Sequence, residues 1–194
     1  KSAMYFDGTD DTLTVGSSTD FDISPSDSFT IELWLNRTVA DGSQGYTRVL
    51  SRNGATTGWA LTYNSAGNSL EFGDDEGGTI LQSNYVTVVN RWYHVAIVGD
   101  ETNVKMYIDG VEKDSKAHGT LTQWGTGGSL TGVKVGQRSD GTVEFGGYMD
   151  EIRIVKGTAV YTGNFTVPTS RLTEITNTKL LIHSDQDHSA TSGN

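Results

Sequence analysis

The chain has 194 residues, with 24 glycines, only 2 prolines, no cysteine and a formal net charge of −10. That length carries one all-β domain with a proper core, while the absence of cysteine excludes a disulfide framework and the low proline count excludes a disordered Pro/Gly tract. The acidic balance disfavours nucleic acid and anionic membranes, suits calcium, and goes with the lack of any apolar run near the roughly 18 residues that a spanning helix needs.

No secretory leader pattern precedes the first strand, and a start at Lys1 reads as that of an excised fragment. Strand patterns dominate from there. Residues 3–6 and 12–15 flank the turn-rich Asp7-Gly8-Thr9-Asp10-Asp11. Residues 28–36 alternate cleanly, with Phe29, Ile31, Leu33 and Leu35 on one face and Thr30, Glu32, Trp34 and Asn36 on the other. Short strands are predicted at 46–51, 58–63, 69–72 and 79–81, each bounded by Gly, Asn, Asp or Ser. The clearest hairpin joins 92–98 and 104–108 to 111–113 through Asp109-Gly110, a type I′ turn signal. A loop over 117–129 holds Trp124, strands return at 130–136 and 143–155, and Ala159-Val160-Tyr161 has the makings of one helical turn. A last strand is predicted at 179–183. Within 146–157, strict alternation places Asp150 on one face with Ile152 and Ile154, and Glu151 with Arg153 on the other. A carboxylate beside two isoleucines is expensive unless something neutralises it. A dozen or so short strands without intervening helices predict an all-β fold, an antiparallel two-sheet β-sandwich.

Five motifs in order then resemble one family. Tyr5-Phe6-Asp7-Gly8, Ser28-Phe29-Thr30-Ile31-Glu32-Leu33-Trp34, Trp92-Tyr93-His94-Val95-Ala96, Met106-Tyr107-Ile108-Asp109-Gly110 and Gly147-Tyr148-Met149-Asp150-Glu151-Ile152-Arg153-Ile154 look like the laminin-G-like jelly rolls of the concanavalin A-like superfamily. The segment 155–165 resembles versions found in phage structural proteins and microbial surface proteins. The resemblance implies a jelly-roll domain over 1–183, a tail or linker to a following domain over 184–194, and a tendency to bind glycans or proteins at loop edges.

It also implies a calcium ion near the sandwich edge. Asp7, Asp10 and Asp11 in the opening turn, joined by Asp150 of the closing strand, are the expected ligands, because hard oxygens at a turn suit Ca²⁺. The same aspartates also suit Asx-turns and backbone N–H acceptance. For sugar, indole and phenol faces stack on a pyranose while charged side chains bond its hydroxyls. Trp124, Trp59 and Tyr46, with Arg138 and Asp140 in the loop 137–141, are the expected contacts, whereas Trp34 and Trp92 are assigned to the core, the alternative place for Trp59 as well. Catalysis lacks support: no Glu-x-Asp-x-Glu triplet occurs, Asp150 and Glu151 should face opposite ways, and the four histidines lack metal-ligand spacing, His94 reading as structural. The expectation is a non-catalytic, calcium-supported module that binds carbohydrate on an extracellular, cell or virion surface. The alternative is a structural or protein-interaction domain of a virion, tail fibre or adhesin.

Overall fold

The computed structural model describes residues 2–23, 27–38, 45–52, 58–74, 78–85, 87–118, 132–138 and 140–184. Trp124 and tail residues 185–194 lie outside them. The strands, all paired antiparallel, are β1 (Met4–Asp7), β2 (Leu13–Thr14), β3 (Phe29–Arg37), β4 (Tyr46–Arg52), β5 (Trp59–Asn64), β6 (Ser69–Gly73), β7 (Thr79–Gln82), β8 (Tyr93–Gly99), β9 (Asn103–Ile108), β10 (Val111–Ala117), β11 (Val133–Val135), β12 (Gly146–Lys156) and β13 (Thr178–Ile182). A 3-10 turn, Thr19–Phe21, is capped by the Ser18 side chain and was not anticipated.

The strands form two sheets. One runs β1-β12-β3-β8-β9-β10, with β13 also on β12; the other runs β2-β11-β4-β5-β6-β7. Along one edge of β12, β1 covers 146–149 and β13 covers 152–155, end to end. There the Ser184 hydroxyl donates to the Ser2 carbonyl at 2.7 Å, so the two described ends of the chain meet. The inner faces share one core, in which Phe29, Ile31, Leu33 and Leu35 of β3 meet Leu50, Leu61, Phe72 and Leu81 of the opposite sheet. Each such side chain contributes about 1.5–3 kcal/mol on full burial. Asp109 and Gly110 both hold positive φ, 51° and 76°, the type I′ turn anticipated for this hairpin.

The closing strand departs from strict alternation. Asp150 pairs with Trp34 and Arg153 with Glu32, so Glu151 and Ile152 together oppose Leu33. This is a β-bulge with Glu151 in the left-handed region at φ 54°. The extra residue resets the period: Met149, Ile152 and Ile154 all enter the core, while Asp150 joins Trp34 on the outer face. The expected apolar neighbours of Asp150 are therefore not its neighbours, and the face argument separating it from Glu151 no longer applies. The two carboxylates are separated by their partners instead. Asp150 accepts from the Ser184 N–H and hydroxyl, and Glu151 accepts from the Leu172 N–H and faces His183.

A third layer covers part of the seven-stranded sheet. Residues 158–173 form an extended strap, not the helical turn expected at 159–161. Thr30 donates to the Thr158 carbonyl and accepts from the Val160 N–H, and the Phe165 N–H donates to Gly110. Tyr161 and Phe165 stack at 3.6 Å above Ala96, Val98 and Tyr107. Beneath them Glu32, fully buried, accepts from Arg153 Nε (2.8 Å) and Nη2 (2.5 Å) and from the Tyr161 hydroxyl (2.7 Å), and meets His94 Nε2 at 3.1 Å. His94 is thus the structural histidine expected from its place in the strand.

Candidate functional site

The outer face of the six-stranded sheet is polar where its inner face is apolar, because the two sets of side chains alternate along β4, β5 and β6. Register aligns Arg48 with Thr62, Thr62 with Glu71 and Glu71 with Gln82, one polar row crossing four strands. Tyr46, Asn64 and Ser69 form the row beside it. Of these rows, Tyr46, Arg48, Thr62 and Glu71 line a groove of about 370 Å³, with Asp74 and Arg138 among its other lining residues.

The floor is held rigidly. Arg48 donates to the Thr62 hydroxyl at 2.5 Å. Glu71 Oε1 accepts from Asn64, Ser69 and Gln82, and Oε2 from Thr79. Asp74 Oδ1 accepts from the Gly78 N–H at 2.7 Å. Both carboxylates thus serve as acceptors for their own sheet and loop. Tyr46 stands at the rim, 47 % exposed.

Arg138 reaches the same groove, its N–H donating to the Thr142 carbonyl and its carbonyl accepting from the Gly141 N–H. Asp140 does not line it. Its Oδ1 accepts from the Thr142 N–H and hydroxyl at 3.1 and 2.6 Å, and the Thr142 side chain holds this carboxyl below the usual carboxylate range. Asp140 therefore shapes the turn that presents Arg138. The next residue of the rim, Val143, sits at φ 62° and gives its carbonyl to the Arg48 N–H at 3.0 Å. A β-branched residue in the left-handed region is a strained one.

Of the five expected sugar contacts, the fold brings Tyr46 and Arg138 together, with Asp140 behind Arg138. Trp59 is 1 % exposed and donates its indole N–H to the Phe21 carbonyl; it belongs to the core. Trp124 lies outside the described residues. Arg48, Thr62 and Glu71 escape sequence reading because only strand register aligns them. Trp34 and Trp92 also depart from expectation. They line a second pocket on the outer face of the other sheet, and Trp92 is 37 % exposed.

The opening turn gathers three carboxylates. Oxygens of Asp7, Asp10 and Asp11, all exposed, lie within 4.8 Å of one another. Asp7 Oδ1 accepts from the Thr9 and Asp10 N–H groups, and Asp11 Oδ2 from the Asp7 N–H. Hydrogen bonds from Thr9 foremost hold the Asp7 carboxyl below its usual range. An all-oxygen set of this size fits calcium chemistry. Asp150 is not part of it: Asp7 pairs with Gly146, which places Asp150 about 13 Å further along β12.

A sequence profile of the concanavalin A-like lectin/glucanases superfamily matches residues 7–160. No curated protein matches the chain by sequence. Among solved structures, a Bacteroides ovatus protein described as a candidate carbohydrate binder aligns with TM-score 0.62 at 20 % identity, over 95 % of this chain and 52 % of its own. The chain thus spans about half the length of that protein. Domain 4 of AbnA, an extracellular arabinanase of Geobacillus stearothermophilus solved with arabinotriose, aligns with TM-score 0.59 at 20 % identity over 81 % of this chain and 72 % of that one. The CBM40 of a Ruminococcus gnavus sialidase, bound to α2,3 sialyllactose, aligns with TM-score 0.53 at 13 % identity over 77 % and 86 %. At these identities the likeness is one of fold.

Proposed function

Because the chain belongs to the concanavalin A-like lectin/glucanase superfamily, we propose that it is a non-catalytic carbohydrate-binding module whose ligand lies in the groove of the six-stranded sheet. The observation that carries this reading is the polar row Arg48–Thr62–Glu71, flanked by an exposed Tyr46 and by Arg138. A sugar needs this combination: a ring face for its C–H groups and fixed donors and acceptors for its hydroxyls. The commitment of Glu71 and Asp74 to local donors favours binding over acid–base work. A structural calcium ion at Asp7, Asp10 and Asp11, and display on a cell or virion surface, complete the reading.

The test is a titration of the protein against a panel of polysaccharides and oligosaccharides, including arabino-oligosaccharides and sialyllactose, with calcium present. At least one should bind, and Tyr46→Ala and Arg138→Ala should each weaken it about tenfold, since an aromatic contact and a charge-assisted hydrogen bond are each worth on the order of 1.4 kcal/mol or more. Absence of binding across the panel, or binding indifferent to both substitutions, overturns the proposal.

A further inference from the structure

With the bulge in β12, Asp150 stands clear of the core and enters a pocket on the outer face of its own seven-stranded sheet. This pocket measures about 360 Å³ and is lined by Ser2, Trp34, Trp92, Asp150, Pro168 and Thr169. Asp150 is only 7 % exposed. Three donors converge on its Oδ1: the Glu151 N–H (2.9 Å), the Ser184 N–H (3.1 Å) and the Ser184 hydroxyl (2.8 Å). Oδ2 accepts none of them, and no basic side chain pairs with Asp150 among the described residues. Among the described residues nothing donates to that second oxygen, so a nearly buried carboxylate stands in a pocket lined by two tryptophans. A carboxylate among indole faces is the environment that an organic cation seeks, through a charge-assisted hydrogen bond on one side and ring quadrupoles on the other. The net charge of −10 attracts the same sign of ligand.

The pocket does not end at Trp92. Tyr148, 36 % exposed, follows at 6.4 Å between ring centroids, and Tyr5, 55 % exposed, at a further 5.1 Å, each step tilting the ring plane by 46°. Strand pairing sets this ledge: Tyr5 lies opposite Tyr148, and Tyr148 opposite Asn36, whose buried Oδ1 has no hydrogen-bond partner among the described residues. Successive exposed rings that turn with the sheet match a ligand made of successive ring faces, not a single small cation.

We propose that this surface binds a glycan carrying a free amino sugar, the ammonium group seated at Asp150 between Trp34 and Trp92, and the adjoining sugar rings laid on Tyr148 and Tyr5. The proposal rests on the glycan-binding reading of the module but uses a different sheet, residues and ligand charge. It also gives Asp150 a role apart from calcium.

The experiment is calorimetric titration of the protein with a short glucosamine oligomer and with the same oligomer fully N-acetylated, which removes the cation and leaves the rings. The amino oligomer should bind about tenfold tighter or better, the ratio expected when one charge-assisted hydrogen bond is lost. Asp150→Asn should abolish that preference. An asparagine keeps an oxygen for Glu151 and Ser184, so a thermal melt should be close to that of the parent. Trp92→Ala should weaken both oligomers, and Tyr46→Ala, in the other groove, should change neither. Equal affinity for the two oligomers, or a preference that survives Asp150→Asn, overturns the proposal, as does choline binding as tightly as the amino oligomer. Sensitivity to Tyr46→Ala alone places the oligomer in the six-stranded groove, which sinks this site and leaves the groove reading standing. Binding of the amino oligomer through Asp150 while no sugar responds to Tyr46→Ala or Arg138→Ala does the reverse.

Discussion

Replacing Glu32 with glutamine tests whether the buried network under the strap holds the fold. Glu32 is fully buried and takes two hydrogen bonds from Arg153, one from Tyr161 and a contact with His94. The glutamine keeps the shape but removes the charge that Arg153, 5 % exposed, is paired with. Arg153 retains one bond, to the Thr173 carbonyl at 2.8 Å. Breaking a buried ion pair on one side costs about 3–5 kcal/mol, and the surviving amide and carbonyl bonds put Glu32→Gln near the lower figure, about 3 kcal/mol. For a domain of this size that is a fall of roughly 6–12 °C in melting temperature. The pH dependence gives a second reading. Burial by itself raises the Glu32 pKa, but the hydrogen bond with His94, the charge of Arg153 and the bond from Tyr161 outweigh it and hold the carboxyl below its usual range. A depressed carboxylate stabilises the fold above its unfolded pKa of about 4.3, and that stability is lost as pH falls through the lower folded value. The gap between parent and variant, measured by urea denaturation, should therefore be full at pH 7 and shrink in acid. A loss under about 1 kcal/mol at pH 7, or a gap that does not change with pH, refutes the reasoning.

Adding millimolar calcium to metal-free protein should raise the melting temperature by several degrees, as any ligand of the native state does. Asp10→Asn should abolish that rise, and identical melts with calcium and with chelator would remove the opening turn as a tight site. Gly110→Ala should destabilise by about 2 kcal/mol or more in denaturant titration, because a Cβ there meets the Phe165 carbonyl oxygen at 2.0 Å and φ is 76°. A loss below about 0.5 kcal/mol would mean that the strap does not press on this turn. Val143→Gly should raise stability by about 1 kcal/mol by releasing the left-handed valine, and if this strain fixes the groove rim, sugar affinity should fall in the same variant. Unchanged stability would show that the strain is not stored at this residue.

The strands were legible because their faces differ. Phe29, Ile31, Leu33 and Leu35 alternate with polar residues, and all four are fully buried. The hairpin was legible because Asp109-Gly110 suits two positive φ angles. Alternation failed at β12 because a bulge inserts one residue without changing composition, and nothing in Met149-Asp150-Glu151-Ile152 signals that Glu151 will take φ 54°. That one residue reassigned Asp150 from an isoleucine face to an indole pocket. Trp34 and Trp92 were misplaced for a related reason: a tryptophan in a strand reads as core unless the outer face is known to be covered only partly. The strap covers His94, Ala96, Val98 and Tyr107 and leaves Trp92 half open. In the groove, Tyr46 and Arg138 were read from loop position, but Arg48, Thr62 and Glu71 come together only through strand register, which a single sequence does not display.

The bond between Ser184 and Ser2 has an architectural consequence. A chain continuing past both residues would enter and leave at one spot on the edge of β12, so the module suits insertion into a host loop as a side branch, leaving the host's path nearly unbroken. By the same token, a circular permutant that links 184 to 2 and opens in the turn 65–68 should keep every strand pair described above. In such a branch the Asp150 pocket, which Ser2 helps to line, would sit at the stem, and the Tyr46 groove would lie on the opposite sheet.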